Sequence, residues 1–200
     1  MNLNTPFQPK SYPAIINGVT YQLVAFYYPG TLTSWDKVYQ APFLGNFYQC
    51  SFSVTFNGIT ASFHNSEAAF QSTKWWNDAT ARQAFENAIT GKDAWKVKNG
   101  LGNPDYSYAG LGRDGAMELV LKAKYSDPSL QAGLLATNDA YLLEHNETTG
   151  RDDYWSDNYD GLGRNMLGIT LMKIRNSLGG NAAPNGVYTV KDFTSQVKTH

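Results

Sequence analysis

The chain has 200 residues, of which 42% are hydrophobic and 16% charged, a composition that fits one globular domain and excludes an intrinsically disordered chain. Its formal net charge of −1 disfavours a large nucleic-acid footprint, and no apolar run approaches membrane-spanning length. The single cysteine, Cys50, excludes an internal disulfide, and without a signal-peptide pattern in the first residues we expect a cytoplasmic protein.

Two short hairpins are predicted in the first half of the chain. Asn17-Gly18 and Asn57-Gly58 each lie between alternating apolar residues, which is the strongest local signal for a two-residue hairpin turn. The second turn sets a register that places six apolar side chains on one face, in the pairs Phe56–Ile59, Val54–Ala61 and Phe52–Phe63.

The second half is predicted to be mainly helical, which gives an α+β fold of helices and short hairpins. Asn65 and Ser66 offer an N-cap for a helix over residues 67–76. The sequence from Thr80 to Gln83 has the pattern of a capping box, and Gly91 is predicted to end the helix that follows. Further helices are predicted over residues 116–123, after Asp127-Pro128, and over residues 167–178 with Gly179-Gly180 as the stop.

The predicted helix after Asn65 carries three polar residues on one stripe. Glu67, Gln71 and Lys74 lie at positions i, i+4 and i+7, so a carboxylate, an amide and an amine share one face. A lysine in an apolar pocket loses its proton more easily and becomes a nucleophile toward an anomeric carbon. A solvated helix face with a snorkelling lysine is the commoner arrangement of such residues.

A polar, aromatic-rich segment, residues 151–165, precedes the last predicted helix and has the length of a functional loop. Gly161 and Gly163 would let the backbone approach a phosphate at a helix N-terminus, although ordinary turn chemistry explains them equally well. An acid of this loop could act as a general acid or base on a glycosidic bond, or serve in turns. The three histidines show no metal-ligand spacing.

These segments together resemble the NADAR (YbiA-like) family, over roughly Phe43 to Leu178. The opening block is matched by residues 43–47 and by Asn65 to Glu67 with Phe70, Gln71 and Lys74. The middle block is matched by Met117 and Lys124-Tyr125. The closing block is matched by residues 152–155, 160–165, 167–168, 171–172 and 174–175. The resemblance gives residues 1–42 as an N-terminal extension, 43–178 as the catalytic domain and 179–200 as a tail.

The resemblance implies an enzyme that cleaves N-glycosidic bonds without a metal or an organic cofactor. Lys74 matches the lysine that attacks the anomeric carbon and forms a Schiff base, Glu67 the acid that manages protons, and Asp152, narrowly preferred to Asp153, the acid of the closing block. Trp155 matches a stacking surface. The remaining ligand contacts that the resemblance implies are Asn46, Phe47, Ser66, Gln71, Asp160, Gly161, Gly163 and Asn165.

The substrate that the resemblance favours is an ADP-ribose conjugate, with ADP-ribose removed from a modified guanine base that is free or part of a nucleic acid. The family also hydrolyses ribosylamine intermediates of riboflavin synthesis, which is the alternative. A module that binds ADP-ribose without turnover is a third hypothesis, and a partner in a toxin–antitoxin or antiviral system a fourth.

Overall fold

The computed structural model describes residues 6–200 and divides them into two compact units. The sheet unit comprises the described residues up to Gly45 together with Pro128–His200, and the hairpin unit comprises Asn46–Asp127. The expectation for the N-terminal extension falls in part on residues 1–5, which lie outside the described residues. No helix within residues 6–200 has both the length and the apolar character needed to cross a membrane.

The described elements are short strands and helices, and they confirm the predicted α+β class. The strands are β1 (Tyr12–Ile16), β2 (Val19–Phe26), β3 (Gln49–Phe56), β4 (Ile59–Asn65) and β5 (Tyr141–Glu144). The helices are α1 (Ser34–Tyr39), α2 (Ser66–Ser72), α3 (Ala79–Glu86), α4 (Gly91–Gly100), α5 (Gly112–Lys124), α6 (Pro128–Leu135), α7 (Met166–Ser177) and α8 (Val190–Thr194). Short 3-10 turns cover Pro42–Leu44 and Thr73–Trp75.

The sheet unit is built on a three-stranded sheet in the order β1-β2-β5. The predicted hairpin at Asn17-Gly18 is confirmed, because both turn residues have positive φ and Ile16 pairs with Val19 across β1 and β2. Strand β5 pairs in parallel with β2 and is buried along its whole length. Helix α7 packs on β5 and ends before Gly179, whose φ of +87° confirms the predicted stop.

The hairpin unit contains the β3–β4 hairpin, and its predicted register is confirmed at all three pairs. Four of the six paired side chains are buried, namely Phe52, Val54, Ala61 and Phe63. Helix α2 follows β4 directly and packs against α3, α4 and α5. Because β4 ends at Asn65 and α2 begins at Ser66, the hairpin leads directly into the helix that carries Glu67 and Gln71.

Three predicted helix boundaries are wrong. The helix predicted over residues 67–76 ends as α2 at Ser72, and a 3-10 turn covers Thr73–Trp75. The N-cap of α3 is Asp78, whose carboxylate accepts the N–H groups of Thr80 and Ala81, so Thr80 lies inside the helix. Gly91 begins α4 instead of ending α3, because Thr90 and Asp93 form the capping box.

Candidate active site

Helix α2 and the 3-10 turn after it place Glu67, Gln71 and Lys74 in one hydrogen-bonded chain. Gln71 Nε2 donates to Glu67 Oε1 over 2.9 Å, and Lys74 Nζ donates to Gln71 Oε1 over 2.8 Å. Residues three positions apart are neighbours on a helix surface, and Lys74, in the 3-10 turn, therefore lies next to Gln71 on α2. The stripe predicted from helical spacing is therefore a connected chain of carboxylate, amide and amine.

Lys74 is buried, with 8% of its surface exposed, so the expectation of a solvated lysine is wrong. Burial lowers the pKa of Lys74 below its ordinary value, because the ammonium is desolvated. The positive charge of Lys98 lowers this pKa further, whereas the carboxylate of Glu67 acts in the opposite direction. A lysine of lowered pKa supplies more neutral amine, the form that attacks carbon.

Three aromatic rings surround the amine of Lys74. Nζ lies 5.9 Å from the ring centroid of Phe70, 5.8 Å from that of Tyr106 and 5.5 Å from that of Tyr108. Phe70 and Tyr108 stack on each other with centroids 5.5 Å apart. These rings form the apolar surroundings that a nucleophilic lysine requires.

The first turn of α2 is held by backbone and side-chain contacts on both sides of Glu67. Asn65 Oδ1 accepts the N–H of Ala68 over 2.8 Å and thereby caps the helix, as predicted. The N–H of Glu67 donates to the carbonyl of Asn46 over 3.0 Å. The backbone that carries Glu67 is therefore fixed at its start.

Two predicted ligand contacts beside this turn have buried polar atoms with no hydrogen-bond partner within residues 6–200, Asn46 Oδ1 and Ser66 Oγ. The amide nitrogen of Asn46 approaches Met117 Sδ at 3.7 Å. Phe47 is half-buried, and its ring packs so closely on Gly91 that a Cβ at Gly91 would lie 2.3 Å from its Cγ. Gly91 is thus required by the Phe47 ring. Buried polar atoms are almost always paired, so the two unpaired oxygens call for a functional explanation.

A polar cavity of about 280 Å³ lies beside Lys74 in the hairpin unit. Its lining includes Lys74, Trp75, Asp78, Asn103 and Asp105. The N–H of Asp105 donates to the carbonyl of Lys74 over 2.8 Å, which joins the two segments that border the cavity. There is space next to the lysine for part of a small ligand.

The closing-block residues lie in the sheet unit, where Asp152 organises a turn. Its Oδ1 accepts the N–H groups of Tyr154 over 2.9 Å and of Trp155 over 2.8 Å. Asp152 is half-buried and Asp153 is exposed. Trp155 is also half-buried and meets the ring of Tyr154 edge-on, with centroids 5.0 Å apart. The structure therefore brings Asp152 and Trp155 together in one turn.

The glycines of the closing block are explained by packing inside the loop. A Cβ at Gly161 would lie 2.6 Å from Lys191 Cα, and one at Gly163 would lie 2.3 Å from the carbonyl oxygen of Ser156. The N–H groups of Gly161 and Gly163 donate to the carbonyl of Asp157. These contacts are the turn chemistry that is one of the two explanations the sequence left open, and the binding of a phosphate stays a prediction.

Asn165 and Asp160 also make contacts within the loop and its neighbours. The buried amide of Asn165 receives the N–H of Glu144 over 2.9 Å and donates to the carbonyl of Leu142 over 2.8 Å. Its backbone N–H donates to Ser156, and those of the next two residues donate to carbonyls of the same loop. Asp160 Oδ1 accepts the N–H of Leu162 over 2.9 Å. The start of α7 is therefore occupied by protein acceptors.

The family model of the NADAR domain matches residues 34–179. The chain belongs to the NADAR domain family. This membership confirms the resemblance found in the sequence.

Several relatives match part of this sequence. A riboflavin biosynthesis protein of Vibrio vulnificus is 30% identical over 145 residues, which are 72% of this chain and 37% of that protein. The N-glycosidase YbiA of Escherichia coli K12 is 42% identical over 67 residues, 33% of this chain and 40% of that one. The matches thus span about 40% of the length of these curated relatives. The NMR structure of E. coli YbiA matches with a TM-score of 0.58 and 26% identity, over 78% of this chain and 86% of that chain.

The NADAR chain has two features that sequence reasoning missed. Tyr106 and Tyr108 contact Lys74 from the segment before α5, and the only signal was a polar turn with alternating tyrosines. In the sheet unit, His145 Nδ1 lies 2.6 Å from Asp157 Oδ2, and both side chains are buried. Twelve residues separate this pair, so no motif spacing could have linked them.

Proposed function

We propose that this chain is an N-glycoside hydrolase for ADP-ribose-type conjugates, which releases ADP-ribose from a modified guanine base through a Schiff base on Lys74. The proposal rests on the two hydrogen bonds that link Glu67, Gln71 and Lys74, and on the burial of the Lys74 amine among aromatic rings. This arrangement provides a nucleophile and an acid on one helix face, held by a common amide. The NADAR membership and the relatives named N-glycosidase support the same reaction class.

In the first step, the carboxylate of Glu67 takes up the proton that the ammonium of Lys74 loses, and the neutral amine of Lys74 attacks the anomeric carbon. The carbon–nitrogen bond to the base breaks, and the base leaves with a proton supplied by Glu67. The new carbon–nitrogen bond leaves a positive charge on the lysine nitrogen, which returns one proton to the Glu67 carboxylate. Gln71 holds the Glu67 carboxyl and the Lys74 amine in fixed positions, because its amide is hydrogen-bonded to both of them.

In the second step, the ribose ring opens. The bond between the anomeric carbon and the ring oxygen breaks, the oxygen takes the proton from Glu67, and the lysine nitrogen forms a protonated imine with the carbon. Water then adds to the imine carbon and gives one proton to the carboxylate of Glu67. The carbon–nitrogen bond to Lys74 breaks as the lysine nitrogen takes the proton of the new hydroxyl, which leaves the sugar as an aldehyde. The products are the free base, ADP-ribose and the regenerated lysine, with one water consumed.

Ligand contacts complete the proposal. Asn46 Oδ1 and Ser66 Oγ have no hydrogen-bond partner in the part of the chain that the structure describes, and they meet polar groups of the substrate. Phe47 shapes this region through its packing on Gly91. In the sheet unit, Trp155 serves as a stacking surface, and Asp152 fixes the turn that carries it. Asp160, Gly161, Gly163 and Asn165 shape the loop.

The alternative substrate is a ribosylamine intermediate of riboflavin synthesis. It is favoured by one observation, the relative named as a riboflavin biosynthesis protein, which matches 72% of this chain. The same lysine chemistry applies, because a ribosylamine also carries a nitrogen on its anomeric carbon. The two functions differ only in the leaving group.

A direct assay separates these functions. The protein is incubated with an oligonucleotide that carries ADP-ribosylated guanine and, separately, with a ribosylamine of the riboflavin type, and the released products are measured by mass spectrometry. We expect turnover of the modified guanine at the higher kcat/KM, lost in Lys74→Arg. Faster turnover of the ribosylamine would favour the alternative, and ADP-ribose binding with no product from either substrate would indicate a binding module.

A further inference from the structure

Tyr106 is an exposed ring beside a buried nucleophile. It is 73% exposed, whereas Lys74 is 8% exposed and lies with its Nζ 5.8 Å from the Tyr106 centroid. Of the three rings near the amine, Phe70 and Tyr108 are buried. Tyr106 is therefore the one with a face available to a ligand.

The segment that carries Tyr106 is held in place. The carboxylate of Asp105 accepts the N–H groups of Ser107 over 2.8 Å and of Ala109 over 2.9 Å. The N–H of Asp105 donates to the carbonyl of Lys74 over 2.8 Å, which fixes the turn to the residue that carries the amine. Tyr108, two residues on, is anchored by its stack on Phe70. Tyr106 is thus presented by an ordered turn.

Building on the proposed function, we infer that Tyr106 is the residue that recognises the leaving group, by stacking on a planar heteroaromatic base. Reacting atoms lie about 3–3.5 Å apart when attack begins, and stacked rings have centroids about 4.5–7 Å apart. A base attached to the carbon under attack by Lys74 can therefore reach stacking distance from Tyr106. A tyrosine orders at low entropic cost and stacks on any base, so it selects for an aromatic ring and not for one sequence.

This assignment has a specificity consequence. A ligand with a base on its anomeric carbon gains affinity from Tyr106, and one without any aromatic ring does not. Ribose 5-phosphate has no aromatic ring, and its open-chain aldehyde form can be trapped on a lysine by borohydride. The comparison of an ADP-ribosylated guanine oligonucleotide with ribose 5-phosphate therefore isolates the contribution of the ring.

The test compares Tyr106→Leu, Tyr106→Phe and the wild type with both ligands. Trp95→Leu is the matched control, because Trp95 is another exposed aromatic of the hairpin unit, 55% exposed on α4. For the modified guanine we expect Tyr106→Leu to lower kcat/KM by about 10-fold, the size of one stacked base, mainly through KM. The loss in Lys74 adduct with ribose 5-phosphate should be at least fivefold smaller, and Tyr106→Phe should recover most of both.

The outcomes distinguish this inference from the proposed function. Equal losses with both ligands, or no loss with either, would overturn the role of Tyr106 while the wild-type activity stands. A loss in Tyr106→Phe as large as in Tyr106→Leu would assign the effect to the hydroxyl and overturn stacking. A wild type that neither cleaves the modified guanine nor forms an adduct on Lys74 would overturn the proposed function, and the inference with it.

Discussion

Lys74 and Gln71 are joined by a 2.8 Å hydrogen bond from Nζ to Oε1, while the other end of the same amide is bound to Glu67. An amide bonded at both ends cannot rotate without breaking a contact to a charged group. Such contacts contribute about 1.5–3 kcal/mol each. Gln71 therefore sets the distance and direction between the two groups that the proposed reaction uses.

Replacement of Gln71 tests this coupling. We expect Gln71→Met, which keeps the length of the side chain and removes both hydrogen bonds, to lower the rate of adduct formation by at least about 10-fold. Gln83→Met is the matched control, since Gln83 is exposed on α3. The measurement is the rate of borohydride-trapped adduct by intact mass. A Gln71→Met protein as fast as the control would show that the amide has no part in the reaction.

The charges around Lys74 predict a pH dependence. Adduct formation should rise with pH through the pKa of Lys74, which is lowered from its ordinary value of 10.5. Removal of a neighbouring positive charge favours the ammonium, so Lys98→Met should shift the rise to higher pH. Loss of a negative charge disfavours the ammonium, so Glu67→Gln should shift it to lower pH. Lys96→Met, on the exposed side of α4, is the control.

These profiles are recorded as trapping rate against pH with ribose 5-phosphate. Because the ligand carries no base on its anomeric carbon, the profile reports the lysine and not base departure. Shifts in the reverse directions, or equal shifts in Lys98→Met and Lys96→Met, would contradict the electrostatic account.

The buried hydroxyl of Ser66 predicts that its removal raises stability and lowers activity. Ser66→Ala removes a buried oxygen that has no hydrogen-bond partner within residues 6–200, so we expect the free energy of unfolding to rise by about 1 kcal/mol and Tm by about 2–4 °C. We expect kcat/KM to fall in the same variant, because the substrate loses a contact. Ser72→Ala is the control, since its equally buried hydroxyl donates to the carbonyl of Ala69 over 2.7 Å. Equal changes in the free energy of unfolding of Ser66→Ala and Ser72→Ala would contradict this prediction.

Lys124 predicts a second pH effect, on stability. Its side chain is fully buried at the end of α5, and burial lowers its pKa from 10.5 to about 8. Between these values the unfolded chain binds more protons than the folded one, so stability rises with pH. We expect Lys124→Met to be more stable than the wild type at pH 7 by about 3 kcal/mol, and the difference to shrink toward pH 10.5. Urea unfolding at several pH values measures it, and a difference that is independent of pH would contradict the account.

The parts of the structure that follow local rules were predictable from the sequence. The register of the β3–β4 hairpin follows from Asn57-Gly58 and the period of two, and the stripe of α2 from helical spacing. The Gly91 boundary was mistaken because a glycine at a helix start and one at a helix end look alike until the Phe47 ring above it is known. That contact joins positions far apart in sequence.

Non-local contacts account for what remained unpredictable. The parallel pairing of Leu23 with Tyr141 joins strands more than a hundred residues apart, and no local pattern reports it. Tyr106 reaches Lys74 from another segment in the same way. The sequence therefore predicted that Glu67, Gln71 and Lys74 share one stripe, but it did not predict that the Tyr106 ring lies beside them.

The central claim is that Lys74 is the nucleophile, and a borohydride trap with ADP-ribose tests it most directly. The wild type, Lys74→Arg and Lys122→Arg are incubated with ADP-ribose, reduced, and analysed by intact mass and peptide mapping. Lys122 is the control because it is exposed and paired with Glu118. We predict one adduct on the peptide of Lys74 in the wild type and in Lys122→Arg, and none in Lys74→Arg. An adduct of equal yield in Lys74→Arg, or hydrolysis that survives in that variant, would contradict the account.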